Sequence, residues 1–317
     1  MSAENYTPSQ LAETLGAHEP TSEQAAVISA GMEPLLVVAG AGSGKTATMT
    51  DRVLWLVANQ KVQPEGILGL TFTRKAAGEL AERVRGRLED LRRRTGEEIE
   101  GLQSGLGPEI STYHSFAQAL VRDHGMRIGI EPDATLIDEA HQWMLMTRIA
   151  NSYDGNLDGV AYAKATLIEA ALNYSGQAAE HLVEPAETVD WLHEHADRIA
   201  ELPPGATART KNPSPLIGKL RSKAVIADLA GRYQTLKRER SLLDFGDLIK
   251  HAVTLARIPE ISAAYRERFP VVLLDEFQDT SHAQMELFHR LFGPVSYTHL
   301  TLPTILRSCR SRWSPYH

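Results

Sequence analysis

A chain of 317 residues is long enough for roughly two domains, and 43% hydrophobic with 23% charged residues is ordinary for a protein with a substantial core. The formal charge of −7 excludes a uniformly basic, histone-like nucleic-acid binder, although a local basic track is still compatible with nucleic acid. The single cysteine, Cys309, excludes an intramolecular disulfide, and the first residues lack the regions of a signal peptide. Because no apolar run could span a bilayer, we expect a cytoplasmic protein without a membrane partner.

The first motif along the chain, Thr21-Ser22-Glu23-Gln24, has two interpretations. It is a capping box if the Thr21 hydroxyl and the Gln24 amide satisfy free N–H groups at a helix start. Alternatively, the Gln24 carboxamide binds an adenine edge, since its acceptor and donor match N6 and N7 of the base. The spacing alone favours the cap.

A phosphate-binding loop is predicted after residue 38. Four apolar residues at 35–38 predict a buried strand, and a glycine-rich turn then leads into a segment with helical apolar spacing. Such a turn points backbone N–H groups at a triphosphate, and the helix N-terminus adds partial positive charge. Lys45 is expected to reach the β- and γ-phosphates, and Thr46 to ligate Mg²⁺. The residues predicted to hold the nucleotide here are Ala39, Gly40, Ala41, Gly42, Ser43, Gly44, Lys45 and Thr46; Ala39 stands where the G-x-x-x-x-G-K-[ST] pattern has glycine.

A second buried strand is predicted over 67–73, followed directly by a helix that begins at Arg74. Residues 74–94 contain eight basic and four acidic side chains, a local excess of positive charge. For 83–94, a solvated helix face is the favoured interpretation. For Phe72, Thr73 and Arg74 we favour a ligand role, because ligands bind at the carboxyl ends of strands in open α/β sheets.

A short strand and turn are predicted over residues 110–116. Tyr113 and His114 could stack on bases and contact phosphates. Taken alone, they are better explained as a packed aromatic residue and a histidine at a helix start.

From about residue 120 to 240 there are no runs of β-branched residues, and apolar residues recur at the spacing of a helix. A pattern typical of an α/β fold resumes at 242–249. A second strong signal follows, a buried strand that ends in Asp275-Glu276. Asp275 is expected to hold the Mg²⁺ shell, and Glu276 to accept a proton from the attacking water. Because Thr46 and Glu276 lie about 230 residues apart, the helical block is expected to be an insertion in a nucleotide-binding fold.

The ordered set of motifs resembles the UvrD/Rep/PcrA-type helicases of superfamily 1 over residues 20 to about 293. The segments that carry the resemblance are Gln24, Ala39–Thr46, Thr71–Ala77, Thr112–Phe116, Leu243–Leu248 and Asp275–Thr280. Within that family, the sequence of residues 70–80, 111–114 and 175–182 is most similar to the AdnB-type subunit of the bacterial AdnAB helicase–nuclease.

The resemblance implies an α/β fold: a RecA-like P-loop NTPase domain, with a parallel sheet flanked by helices, split by a mostly helical inserted domain. The expected boundaries are 1–112 for the first part of ATPase domain 1A, 113–240 for helical domain 1B and 241–293 for the second part of 1A. It also implies an ATP-dependent helicase that moves 3′ to 5′ on single-stranded DNA and acts at duplex junctions in repair or recombination. A nucleoid-associated enzyme with a possible second helicase–nuclease subunit would follow.

Residue roles are implied in the same way. Gln24 would contact adenine, and Gln278 would couple the γ-phosphate to DNA. Phe72 and His114 would touch the strand. Ala47 and Arg74 depart from the family's frequent Arg and Asn at these positions, and Arg74 adds a phosphate-seeking charge.

Residues 294–317 do not continue the family pattern and are expected to be a non-native tail, from an adapter sequence and a shifted frame. On that expectation a second RecA-like domain is missing, and this chain alone would bind nucleotide weakly and unwind nothing. Two alternatives stay open at this point. One is a P-loop ATPase that is not coupled to DNA, and the other is a catalytically dead DNA-binding fragment.

Overall fold

The computed structural model describes residues 6–40, 42–95, 106–131, 133–155, 162–203, 213–293 and, for the backbone, 297–302. The chain forms two compact units. The α/β unit comprises residues 1–116, 256–280 and 288–317, and the helical unit comprises 117–255 and 281–287.

The described strands are β1 (Leu35–Val38), β2 (Ile67–Thr71), β3 (Glu109–Thr112), β4 (Thr135–Leu136), β5 (Leu242–Leu243), β6 (Val271–Leu274) and β7 (Tyr297–Leu302). The described helices are α1 (Pro8–Leu15), α2 (Ser22–Ile28), α3 (Lys45–Ala58), α4 (Arg74–Thr95), α5 (Tyr113–His124), α6 (Glu139–Asn151), α7 (Lys164–Glu180), α8 (Pro185–Ala200), α9 (Ser214–Glu239), α10 (Phe245–Ala256), α11 (Pro259–Arg268) and α12 (His282–Phe292). Short 3₁₀ turns lie at Pro64–Gly66, Gly125–Ile128 and Phe277–Asp279.

The α/β unit is built on a five-stranded sheet in the order β1-β7-β6-β2-β3. All four strand pairs are parallel, with Leu70 opposite Leu274 and Thr71 opposite Thr112. The carboxyl ends of these strands therefore meet at one edge. A parallel sheet flanked by helices is the predicted fold class, which is confirmed.

Burial along the strands follows their place in the sheet. The central strands β2 and β6 are buried throughout, as predicted. The prediction that β1 is buried is wrong for one face, because Leu36 and Val38 are 50% and 57% exposed. β1 is the outermost strand of the described sheet, so alternate side chains leave the core.

Helix α3, which follows the glycine-rich turn, is fixed by an unusual buried cation. The Arg52 guanidinium is 2% exposed and donates to the carbonyl oxygens of Ile28 (2.6 Å) and Gly31 (2.7 Å). Burial lowers the pKa of Arg52 to about 10. These bonds tie α3 to the end of α2 and to the segment that follows it.

The helical unit packs α6, α7 and α9 around a separate core that includes Met146, Ile168 and Leu229. It also contains a parallel pair, β4 with β5, which the sequence did not predict because each strand has only two residues. The expected bounds of 113–240 for the inserted domain stay a prediction. Within the helical unit, a buried ion cluster joins Lys237 of α9 to Asp244 and Asp247 at the start of α10.

The segment predicted to be a non-native tail contributes backbone to the sheet, since β7 pairs with both β1 and β6. Residues 294–296 and 303–317 lie outside the described residues, and a non-native origin stays a prediction. Among the helices in the described part of the chain, none has the length and apolar character required to cross a membrane.

Candidate functional site

The predicted site residues of the α/β unit come together at the carboxyl edge of its sheet. The glycine-rich turn follows β1, Asp275 and Glu276 follow β6, Phe72 follows β2, and β3 leads into Tyr113. In the strand order, the residues predicted to bind nucleotide follow β1 and β6, and those predicted to bind DNA follow β2 and β3.

The turn has the curled backbone that a phosphate-binding loop needs. Gly42 and Gly44 have φ of +76° and +80°, a left-handed conformation that favours glycine. The Ser43 hydroxyl donates to the Gly40 carbonyl oxygen at 2.8 Å and closes the turn. Ala39 is not among the residues with positive φ, so a methyl group is tolerated there. Ala41 lies outside the described residues.

Gln24 combines a structural contact with a position beside the loop. The predicted capping box is present: the Thr21 N–H donates to the Gln24 Oε1 (3.0 Å), and the Gln24 N–H donates to the Thr21 hydroxyl (3.3 Å). In addition, the Gln24 Nε2 donates to the Ser43 carbonyl oxygen at 3.0 Å. The capping residue Gln24 therefore also contacts the glycine-rich turn through its carboxamide.

Lys45 and Thr46 are the first two residues of α3, and Gly44 is its N-cap. Both side chains are half-buried at a helix N-terminus, where unpaired N–H groups and the helix dipole favour an anion. A cavity of about 450 Å³ adjoins the turn. Polar members of its lining include Gln24, Lys45 and Arg52, and apolar members include Leu35, Val37 and Met49.

Asp275 is an acid in an unfavourable environment. Its side chain is 9% exposed and accepts a hydrogen bond from the Glu276 N–H at 3.0 Å. Burial raises the pKa of Asp275, the charge of Glu276 raises it further, and Lys45 lowers it. Lys45 and Leu273, which lies two residues before Asp275, line the same cavity, so the glycine-rich turn and the end of β6 are neighbours.

Glu276 has a strained backbone, with φ of 50° and ψ of 41° in the left-handed region. Its carboxylate accepts a hydrogen bond from the Gln278 Nε2 at 2.5 Å, and the same nitrogen lies 3.3 Å from an Asp279 oxygen. Gln278 itself is exposed. An amide that holds the neighbouring carboxylate is suited to link an incoming ligand to that group.

The donor set fits a divalent cation held mainly by water and phosphate. Thr46 and Asp275 supply one hydroxyl and one carboxylate, both hard oxygen ligands of the kind that Mg²⁺ prefers. Within the described residues there is no cluster of three histidine, cysteine or acidic side chains that could hold a metal by itself.

The segment after β2 presents a mixed surface. Phe72 is 41% exposed, and Arg74 is exposed at the start of α4. Thr73 caps this helix, because its hydroxyl accepts a hydrogen bond from the Ala76 N–H at 3.1 Å. The predicted ligand role of Thr73 therefore competes with a structural one.

Tyr113 requires a correction. It was predicted to contact DNA, but its side chain is 1% exposed, so its ring has no surface on which a base could stack. The packed alternative describes it better: the phenol donates to the Asp275 backbone carbonyl at 3.1 Å. His114, the next residue, is half-buried in the first turn of α5. No spacing pattern in the sequence could have indicated the bond from Tyr113 to Asp275, which joins residues 162 positions apart.

Comparison with known proteins agrees with this arrangement. The family described as the UvrD/REP helicase N-terminal domain matches residues 20–302. The ATP-dependent DNA helicase UvrD1 of Mycobacterium tuberculosis (strain ATCC 25618 / H37Rv) is 32% identical over 288 residues, which are 90% of this chain and 32% of that protein. The ATP-dependent DNA helicase PcrA of Bacillus subtilis is 31% identical over 293 residues, again 90% of this chain and 32% of the relative.

PcrA of Staphylococcus aureus (strain NCTC 8325 / PS 47) is 29% identical over 267 residues, or 84% of this chain. The chain thus spans about a third of the length of the curated relatives it matches. Since the family match covers residues 20–302, which include Gln24, the glycine-rich turn and the acid pair, the chain belongs to the UvrD/REP helicase family.

Proposed function

We propose that the protein is an ATP-dependent DNA helicase or translocase that moves 3′ to 5′ on single-stranded DNA. The observation that carries the proposal is the edge of the sheet, where Lys45 is close enough to act on Asp275 while Phe72 stays exposed after the adjoining strand β2. The relatives are named ATP-dependent DNA helicases, which agrees with a nucleotide site beside a nucleic-acid surface.

The nucleotide would be bound by the turn from Ala39 to Thr46. Lys45 would neutralise the β- and γ-phosphates, and Gln24 would present its carboxamide to adenine. Mg²⁺, held by Thr46 and Asp275, would neutralise phosphate charge when bound. Glu276 would accept the proton of the attacking water, and Gln278, bonded to that carboxylate, would sense the γ-phosphate.

Single-stranded DNA would contact the segment after β2 and the start of α5. The exposed Phe72 ring would stack on a base, and Arg74 would contact a phosphate. His114 would provide a further polar contact, and Thr73 would mainly hold the start of α4.

The wider assignment follows from the same proposal. The α/β unit would be helicase domain 1A, and the helical unit would be domain 1B. The enzyme would work on duplex junctions in the cytoplasm, associated with the nucleoid, in repair or recombination. An AdnB-type specialisation, with a second helicase–nuclease subunit, is supported by the sequence of residues 70–80, 111–114 and 175–182.

Steady-state ATP hydrolysis with and without single-stranded DNA tests the proposal. This measurement and the hydrolysis measurements below use a protein in which this chain is joined to the second RecA-like domain that the resemblance implies, because the chain alone is expected to be inactive. We expect DNA to stimulate hydrolysis by the wild-type protein, and Phe72→Ala to weaken DNA binding by about 5- to 100-fold, the effect of losing one stacked base. A labelled duplex with a 3′ tail should be unwound, and one with a 5′ tail should not.

Hydrolysis that does not respond to DNA would instead indicate a P-loop ATPase that is not coupled to nucleic acid. Equal unwinding of both tailed duplexes would contradict the proposed direction of movement.

A further inference from the structure

We propose that Tyr113 is a positioning residue that couples DNA binding at Phe72 to the orientation of Asp275 and Glu276. The inference rests on the proposed function, and it assigns to Tyr113 a role that differs from direct DNA contact. It depends on three contacts within the α/β unit.

The first contact is made by the Tyr113 ring. Its centroid lies 5.9 Å from that of Phe72, with the planes tilted by 60°, and 5.5 Å from that of Phe288 in an edge-to-face arrangement. Tyr113 is 1% exposed and Phe72 is 41% exposed. A base that stacks on the open side of Phe72 therefore acts on a ring that packs against Tyr113, and Phe288 limits where that ring can move.

The second contact is made by the phenol. It donates to the Asp275 backbone carbonyl at 3.1 Å, at the point where β6 ends. Burial raises the pKa of Tyr113 to about 12, so the hydroxyl keeps its proton and stays a donor across the physiological range.

The third contact explains why a backbone carbonyl matters here. The peptide group between Asp275 and Glu276 is held at both ends, its carbonyl by Tyr113 and its N–H by the Asp275 carboxylate at 3.0 Å. Glu276 follows in a left-handed conformation that a non-glycine residue rarely adopts. The rotation of this one peptide therefore sets where both carboxylates point, and the phenol holds that rotation.

A continuous path of contacts thus runs from an exposed aromatic surface to the peptide between the two acids. A shift of Phe72 on base stacking changes the position of the Tyr113 ring and with it the bond to Asp275. This path gives DNA binding a direct physical means to alter Glu276, which would accept the proton in hydrolysis.

The test removes the hydroxyl and keeps the ring. In Tyr113→Phe, we expect the stimulation of kcat by single-stranded DNA to fall by about two- to tenfold, the cost of one hydrogen bond. The Kd for an oligothymidine and the KM for Mg·ATP should stay within twofold of wild type, since the ring still supports Phe72. Tyr174→Phe is the matched control, because within the described residues the buried Tyr174 hydroxyl has no hydrogen-bond partner. It should leave the stimulation unchanged.

Each other outcome is informative. An equal fall in hydrolysis with and without DNA would overturn the coupling role, and so would unchanged stimulation in Tyr113→Phe. Weaker oligothymidine binding by this variant would show direct DNA contact and would also overturn it. In a Phe72→Ala background, Tyr113→Phe should have no further effect on stimulation, because the two changes interrupt one path. A wild-type protein that DNA does not stimulate would overturn the proposed function itself.

Discussion

Two acidic turns, one in each unit, have similar sequences but differ in how their charges are compensated. In the helical unit β5 is followed by Asp244 and Asp247, and in the α/β unit β6 is followed by Asp275 and Glu276. Lys237 is 3% exposed and lies 2.5 Å from a carboxylate oxygen of both Asp244 and Asp247. These two acids also accept each other's backbone N–H groups, at 2.9 and 3.0 Å.

The pKa directions express the difference. Burial alone would raise the pKa of Asp244, but the ammonium of Lys237 holds it below its usual value. For Asp275, burial and the charge of Glu276 raise the pKa, and Lys45 opposes them without reversing the shift. Lys237 compensates one of the two charges at the Asp244 turn: it holds the pKa of Asp244 down, while burial and the charge of Asp244 keep the pKa of Asp247 raised. The turn at Asp275 keeps charge uncompensated, which is typical of a site that a cation and a ligand complete.

The largest expected effect separates chemistry from stability. Glu276→Gln should lower the rate of ATP hydrolysis by about 10²- to 10⁴-fold, since a general base is lost. Binding of Mg·ATP should persist, because Lys45 and the glycine-rich turn are intact. Equilibrium nucleotide binding and steady-state hydrolysis measure the two quantities separately.

Asp244→Asn in the helical unit is the matched control, because Lys237 holds the pKa of Asp244 below its usual value and the charged form therefore stabilises the fold at neutral pH. It should lower the free energy of unfolding and leave hydrolysis per folded molecule within twofold of wild type. Comparable losses of hydrolysis in Glu276→Gln and Asp244→Asn would erase the distinction between the two turns.

The next effect is on stability. Lys237→Met should lower the free energy of unfolding by about 3–5 kcal/mol, because it leaves two buried carboxylates without their cation. Denaturant unfolding measures the change. Further Asp244→Asn and Asp247→Asn substitutions should restore most of the loss by removing the unpaired charges.

Lys75→Met provides the surface comparison. The Lys75 ammonium lies 3.8 Å from Glu79, and the two side chains are 86% and 62% exposed. Its removal should change the unfolding free energy by less than about 1 kcal/mol. An equally small loss in Lys237→Met would mean that the buried cluster does not stabilise the helical unit.

A smaller effect on stability is expected at Asp275, where the substitution should stabilise the protein rather than destabilise it. Its folded-state pKa is raised, so the folded protein binds the proton more tightly than the unfolded chain does. Stability from this group is therefore lost as pH rises above the unfolded pKa of about 3.9. Asp275→Asn should raise the Tm at neutral pH and abolish hydrolysis.

The gain in Tm should vanish as the pH is lowered below the unfolded pKa, where the aspartate is protonated in both states. Thermal unfolding at a series of pH values measures it. A gain that does not depend on pH, or a lower Tm at pH 7, would contradict the raised pKa of Asp275.

The fold and the site could be predicted from the sequence only in part. The sheet and its edge were predictable, because apolar runs such as 67–71 and 271–274 are followed directly by polar motifs. The order of those motifs also indicated a RecA-like fold interrupted by a helical insertion.

Long-range partners were not predictable from local patterns. Nothing in the spacing of Lys237 showed that it pairs with Asp244 and Asp247. Tyr113 was ambiguous for the same reason, since an aromatic residue at a strand end suits both a base and a core. The exposure of Val38 also escaped prediction, because alternate burial depends on which elements cover each face.

The smallest expected effect is on ATP affinity and concerns the backbone of the glycine-rich turn. Residues of this turn, like Glu276, adopt left-handed conformations. Ala39→Gly restores the common pattern but should leave ATP affinity within twofold, because Ala39 does not have positive φ. It should cost about 0.4–1 kcal/mol of stability by loosening the unfolded chain. Gly44→Ala is the contrasting variant: Gly44 has φ of +80°, and an added Cβ would lie 3.1 Å from the Gln24 Nε2. That variant should weaken nucleotide binding clearly more than Ala39→Gly does. If Ala39→Gly instead tightened ATP binding several-fold, the alanine would be a constraint on the loop, and the strain needed for phosphate binding would extend beyond Gly42 and Gly44.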